Sequence, residues 1–297
     1  MLDLNQWVGK SVTESERFDA RLVRWMAAAF EQADLLEPKA GDAVPAGWHW
    51  SLFAPVAPQS GLGRDGHPRK GDFLPPVEQP RRMFAGARLT WHRSFEVDMM
   101  VTRESTIRSC ERKSGRTGDM VFVTLVHHYS SEGLTILEEE QDLVYRFDPG
   151  PDEIQALSLL GERARALAGN PPGFERSGTF QRSVMADPVL LFRYSAATFN
   201  GHRIHYDREY AMGVEGYPGL VVHGPLLATF LLDHLNRVVA PSAQIERFSF
   251  RARRPTFDIA PFVLHGNAAD SEGRVELWST NNVGELAIDA QAQLKTP

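Results

Sequence analysis

Two short stretches of the chain concentrate groups capable of acid–base chemistry. Asn200, His202 and His205 are spaced as Asn-x-His-x-x-His, and Val222-His223-Gly224-Pro225 opens a long apolar run. An imidazole exchanges protons near neutral pH, and an amide both donates and accepts hydrogen bonds, so it can orient a water or a carbonyl. The apolar run predicts a helix over about Pro225 to Val239. The first N–H groups of such a helix have no intrahelical acceptor and carry partial positive charge, which suits them to hold a developing oxyanion. A base beside an oxyanion cradle points to chemistry on a carbonyl or thioester.

The segment Tyr194-Ser-Ala-Ala-Thr-Phe-Asn-Gly-His-Arg-Ile-His-Tyr-Asp207, with Tyr217-Pro-Gly-Leu-Val-Val-His-Gly-Pro225, resembles the MaoC-like hydratases, the (R)-specific enoyl-CoA hydratases and dehydratases. Tyr194, Ser195, Ile204, His205, Val222, His223 and Gly224 match that pattern in order. The resemblance implies that His205 is the catalytic histidine and that Gly224 supplies the oxyanion N–H. Three positions depart from it: Asn200 stands where the family has an aspartate, His202 where it has an asparagine, and Arg203 where it has a proline. An asparagine cannot deliver a proton but can position water, and His202 is a candidate to share the proton transfer. Phe73-Leu-Pro-Pro and Pro80-Arg-Arg-Met-Phe-Ala-Gly86 add a likeness to the hydroxyacyl-thioester dehydratase type 2 branch, which includes mesaconyl-CoA hydratases.

The resemblance implies an α+β chain with a tandem (double) hot-dog fold, each half a long helix wrapped by an antiparallel sheet. It implies a hydro-lyase that reversibly hydrates an α,β-unsaturated acyl-CoA, or an acyl carrier protein thioester, with a short branched dicarboxylic group such as mesaconyl as the leading substrate. No cofactor is expected, and a homodimer is the assembly it suggests. An acyl-CoA thioesterase and a non-catalytic acyl-thioester binding subunit are the alternatives, because a fold hosts several functions.

Three further sets of residues are weighed on their own chemistry. Arg251, Arg253 and Arg254 follow Phe248 and Phe250; strand alternation puts Arg251 and Arg253 opposite the phenylalanines, where they could hold the phosphates of CoA. Arg81 and Arg82 are candidates for a phosphate or a substrate carboxylate, and His223 is expected at the substrate. His202, His205 and His223 have no cysteine or carboxylate at a recognised ligand spacing, so no metal is expected. His49, His67, His92, His127, His128 and His265 lack an accompanying constellation and read as structural or solvated; Asp207 reads as a helix N-cap.

The elements that must position these groups occur twice in one order. Ser11 to Glu16 reads as an acidic cap, and Leu22, Trp25, Met26, Ala29 and Phe30 give a helix within Phe18 to Leu35. A Pro- and Gly-rich loop runs from Pro38 to Gly86, then strands at Met100–Arg112, Asp119–Tyr129 and Leu134–Phe147. After a short helix at Asp152–Ala168 and a linker at Gly169–Gly173, the Pro225–Val239 helix precedes strands at Gln244–Phe257, Phe262–Ala269, Arg274–Ser279 and Glu285–Leu294. This predicts a first domain over 1–150, a linker over 151–178 and a second domain over 179–297 that carries the motif.

Bulk properties narrow the field. The 297 residues are 42% hydrophobic and 24% charged with a net charge of −6, which argues against a general affinity for nucleic acid. Cys110 is the single cysteine, so no intrachain disulfide forms, and the start Met1-Leu-Asp-Leu-Asn lacks a secretory pattern; a cytoplasmic setting and no membrane span are the expectations.

Overall fold

Strict alternation sets the first sheet. In the strand Gly118–Ser131 every second residue from Val121 through Val123, Leu125 and His127 to Tyr129 is buried, as a half-buried strand requires. The computed structural model describes residues 3–115, 118–167, 173–241 and 243–295. Contacts divide the chain into two units, Met1–Asp148 with Ala197–Gly201, and Pro149–Ala196 with His202–Pro297. Of the Gly169–Gly173 stretch read as a linker, all but Gly173 lies outside the described residues, as does Ala168.

The first unit holds β1 (Ser11–Arg17), α1 (Ala20–Phe30), β2 (Arg81–Trp91), β3 (Met100–Gly115), β4 (Gly118–Ser131) and β5 (Leu134–Arg146). Its strands pair antiparallel in the order β1-β3-β4-β5-β2. The β4–β5 turn places Glu132 and Gly133 at φ 51° and 77°, the left-handed pair that a two-residue hairpin loop needs. Ser11 to Glu16, expected as a helix cap, is instead most of β1; the cap of α1 is Asp19, whose Oδ1 accepts from Arg21 N at 2.6 Å. The buried stripe of α1 is Val23, Met26, Ala27 and Phe30, and Trp25 is 45% exposed, so the helix is turned from the face expected. The loop expected to run to Gly86 stops at Pro80, where β2 begins.

The second unit holds α2 (Pro151–Ala166), β6 (Phe180–Val184), α3 (Pro188–Ala197), α4 (Arg208–Gly213), α5 (Gly224–His234), β7 (Ile245–Ala252), β8 (Phe262–Gly266), β9 (Arg274–Thr280) and β10 (Leu286–Leu294). Its strand order, β6-β8-β9-β10-β7, repeats that of the first unit, again antiparallel. α5 lies between β6 and β7 in sequence just as α1 lies between β1 and β2. Leu226 to His234 are buried on every side of α5, which explains its uniformly apolar sequence, and the helix packs against β8 and β9. Helix plus five-stranded antiparallel sheet, twice in one α+β chain, is the double hot-dog arrangement. Among the described residues no helix is long and apolar enough to cross a membrane.

Each unit buries imidazoles. In the first, Glu139 (1% exposed) accepts from Trp50 Nε1 at 2.9 Å and Tyr129 OH at 3.0 Å and lies 3.4 Å from His49 Nε2. Burial alone would raise the Glu139 pKa, but hydrogen bonding and charge from His49 outweigh it and hold it at about 2. His127 is bonded to Ser105 Oγ at 2.7 Å. His49 and His127 therefore belong to a buried polar network that the sequence did not reveal. Burial also lowers the pKa of His67, His127, His234 and His265 to about 4, and that of His223 well below 6.5. A histidine with a depressed folded pKa binds fewer protons folded than unfolded, so its stabilisation is present above pH 6.5 and is lost as pH falls towards 4. Thermal unfolding followed at pH 7.5 and pH 5 is expected to show a clearly lower midpoint at pH 5; an unchanged midpoint would contradict these burials.

Candidate active site

Two of the expected histidines form a stack in the second unit. His205 ends a tight 3₁₀ turn, Arg203–His205, in which its N–H donates to His202 O at 3.1 Å. Its ring Nδ1 lies 2.7 Å from the carbonyl oxygen of Val221. A carbonyl only accepts, so Nδ1 carries the proton and Nε2 is the basic nitrogen of the ring. His223 lies flat against it, with ring centroids 3.6 Å apart and planes 19° from parallel, while His202 meets His205 edge-on at 5.3 Å.

Surrounding hydrogen bonds fix the Val221 carbonyl that sets this tautomer. Val221 N donates to Ile204 O at 3.0 Å, and Val222 N donates to Thr256 O at 2.9 Å. The buried carboxylate of Asp258 accepts from Leu220 N at 2.9 Å and pairs with Arg208 of α4. Gly219 makes that approach possible, since a Cβ there would lie 2.7 Å from Asp258 Oδ1. Asp207 caps α4 as expected, accepting from Tyr210 N at 3.0 Å, and its other oxygen takes Arg203 Nη2 at 2.7 Å. Arg203 replaces the proline of the resembling pattern and ties the histidine turn to α4. Asp258 and Arg208 escaped the sequence reading because nothing local marks them; their role comes from pairing across fifty residues of chain.

His223, expected at the helix start and at the substrate, is the N-cap of α5. It is 1% exposed, and its Nε2 is bonded to Ser195 Oγ of α3 at 2.8 Å. Burial, then the neighbouring charge of His205, keeps it neutral. A neutral ring behind His205 suits support of the base. His223→Ala is expected to lower kcat on the order of 10- to 100-fold by letting the His205 ring move, whereas His223→Phe, which keeps a stacking ring, is expected to lose less. Steady-state kinetics with circular dichroism of both variants checks this; equal losses would mean the stack is irrelevant.

Gly224 is the first residue of α5 and half-exposed, so its N–H is one of the donors that a helix leaves without an internal partner. Asn200 is half-buried in the connection after α3, in the part of the chain grouped with the first unit. Phe248 and Phe250 are buried and Arg251 exposed, as alternation predicts, but β7 ends at Ala252 rather than Phe257. Arg253 lies 3.6 Å from Asp289; Arg254 lies within 3.7 Å of Glu175 and 3.6 Å of Glu285 and donates to Leu286 O at 3.1 Å. Acidic neighbours thus offset two of the three charges in that stripe. Arg81 and Arg82 open β2 and part company there: Arg81 is 6% exposed, and Arg82, half-exposed, is the cross-strand neighbour of Tyr145.

A family model described as hydroxyacyl-thioester dehydratase type 2 matches residues 47–258. A protein named mesaconyl-C(4)-CoA hydratase, from Chloroflexus aurantiacus, is 41% identical over 297 residues, which cover 98% of this chain and 98% of that one. Among solved structures, a MaoC-like dehydratase from Phytophthora capsici aligns with a TM-score of 0.70 at 12% identity, covering 99% of this chain and 98% of that one. A Mycobacterium tuberculosis protein described as having a double hot-dog fold aligns with a TM-score of 0.55 at 13% identity, covering 97% of this chain and 96% of that one. At such identities the two structures speak to the fold.

Proposed function

Because the chain belongs to the hydroxyacyl-thioester dehydratase type 2 family, we propose that it is a hydro-lyase that adds water reversibly across the double bond of an α,β-unsaturated acyl-CoA. The observation that carries this reading is the His205 ring, anchored through Nδ1 to Val221 O so that Nε2 is its base. In the hydration direction His205 takes a proton from water as the oxygen bonds to the β carbon, and the enolate charge that gathers on the thioester oxygen is met by the Gly224 N–H. The proton returns to the α carbon, from His205 itself or through His202, and the double bond is lost. Asn200, five residues before His205 in the chain, is assigned to orient the water. The His223 ring stacked behind His205 stabilises the imidazolium formed in passing.

A short branched dicarboxylic acyl group such as mesaconyl is the proposed substrate, supported by the relative of that name. Arg251, with Arg253 and Arg254 beyond the strand end, is the candidate for the CoA phosphates. Purified protein mixed with crotonyl-CoA and mesaconyl-CoA tests the reading. Loss of enoyl absorbance without release of free thiol supports a hydratase; free thiol would identify a thioesterase, and neither signal would leave a binding subunit.

A further inference from the structure

The turn Asn281-Asn282-Val283-Gly284, which joins β9 to β10, uses its two asparagine side chains differently. Asn281 folds the turn: its Oδ1 accepts from Val283 N and Glu285 N, both at 3.1 Å, and its own N–H donates to Glu285 O at 2.8 Å. Asn282 instead reaches into the second unit, where it is 1% exposed. Its Oδ1 accepts from Phe257 N at 2.8 Å, and its Nδ2 donates to Phe257 O at 2.8 Å and to Ala260 O at 2.5 Å. The acceptor and both donor hydrogens of the amide are thereby committed to one short segment. Phe257 is held through its N–H and C=O as a neighbouring strand would hold it.

On its other side Phe257 meets the segment that supports His205. Val221 and Phe257 stand opposite one another in an antiparallel bridge, closed by Val222 N donating to Thr256 O at 2.9 Å and Asp258 N donating to Leu220 O at 3.0 Å. The bonds of such a pair belong to the flanking residues, so the two opposed residues turn their own N–H and C=O outward. The outward groups of Phe257 meet Asn282. Those of Val221 meet the histidine turn: its N–H donates to Ile204 O at 3.0 Å, and its carbonyl accepts from His205 Nδ1 at 2.7 Å. Asn282, Phe257, Val221 and His205 therefore lie in one row across a short ladder, all within the second unit.

We propose that Asn282 is a positioning residue for the reaction: by clamping Phe257 it holds the Val221 carbonyl that keeps the His205 proton on Nδ1 and leaves Nε2 as the base. This rests on the hydratase reading and adds to it a residue from a separate hairpin. Without the amide, the N–H of Phe257 and the carbonyls of Phe257 and Ala260 lose their partners in a buried place, and the segment must shift to regain them. The ladder passes that shift to Val221 O. An imidazole whose Nδ1 loses its acceptor is free to carry its proton on Nε2, where it can no longer take one from water. Asp258, with Arg208, holds the same ladder at Leu220, so loss of Asn282 loosens the row without unfolding it.

The test uses the full-length protein. Asn282→Ala is expected to lower kcat roughly tenfold or more and to leave KM nearly unchanged, because the base is displaced while the groups that bind substrate stay. Asn282→Ser, whose hydroxyl can serve part of the clamp, should fall between wild type and Ala. Asn281→Ala weakens the same turn without touching Phe257 and is the control: it should lower the melting midpoint and keep the wild-type kcat. Nitrogen-15 NMR of histidine-labelled protein, with the His205 signals identified by their loss in His205→Ala, reads the proton position and needs no substrate. Wild type and Asn281→Ala should show the Nδ1–H form, and both Asn282 variants a shift towards Nε2–H. An unchanged tautomer in a folded Asn282 variant would overturn the proposal, and so would an equal shift in Asn281→Ala. If the tautomer responds as expected but wild type hydrates no enoyl thioester, the hydratase reading fails and the hold of Asn282 on His205 stands. Should neither Asn282 variant fold, hydrogen exchange in wild type decides: the Phe257 and Val221 amides should open together, and a Phe257 amide that exchanges much faster than that of Val221 would break the coupling.

Discussion

His205→Ala is expected to lower turnover of the enoyl thioester roughly 100-fold or more, the usual contribution of a positioned acid–base group, while the protein stays folded. The ring is held by a hydrogen bond to a backbone carbonyl and by a stack on His223, and that carbonyl's segment is fixed independently through Val222, Leu220 and Asp258. Removing the ring therefore takes away the base without freeing the segment that carries it. Stopped assays on a variant shown by thermal unfolding to be folded are the check, and near-normal turnover would remove the central claim. His202→Ala is the companion: an equal loss would make His202 a second proton carrier, and a small one would leave the edge-on ring as packing.

The start of α5 and the cap of α4 could be read from sequence, while the surroundings of His205 could not, for a physical reason. The helix start at Gly224 and the capping of α4 by Asp207 depend on contacts within one turn, and such local chemistry leaves a local pattern. The hairpins at Glu132-Gly133 and Asp270–Gly273 were legible for the same reason: glycine takes the left-handed backbone at 77° and 76° with little strain. Ser11 to Glu16 misled because its polar run resembles a cap, whereas β1 is an edge strand with most of its side chains exposed, and such a strand needs no apolar alternation. The face of α1 was misjudged because Trp25 fits a helical stripe as well as Val23 does, and only the packing decides which of them is covered. The pairs His49–Glu139 and Arg208–Asp258 join residues far apart in the chain, and the sequence around each member is unremarkable; Ser195 and His223 lie in the matched motif, but nothing in its spacing says that they bond to each other. Asp65 and His67 are neighbours, yet their pairing depends on a turn whose shape a list of glycines does not specify.

Asn200→Ala is expected to lower turnover on the order of 100-fold, comparable to losing a preorganised hydrogen-bonding group at a reacting centre, and Asn200→Asp to retain measurable activity. The neighbours of Asn200 support a fixed geometry. Phe199 before it holds a left-handed backbone at φ 47°, uncommon for a bulky residue and costly unless its surroundings enforce it. Gly201 after it is pressed against the carbonyl of Gly66, where no side chain fits. A short segment pinned on both sides presents the Asn200 amide with little freedom, so its hydrogen bonds to water cost little ordering at the moment of reaction. Alanine keeps that backbone and removes both polar partners. Aspartate keeps an acceptor in the same place and restores the carboxylate of the resembling pattern, so it can orient the water even though it has lost the amide donor. kcat measured for the two variants, with circular dichroism to confirm an unchanged fold, decides the matter. An alanine variant as active as wild type would reduce Asn200 to a turn residue and would leave His205 to orient the water it deprotonates.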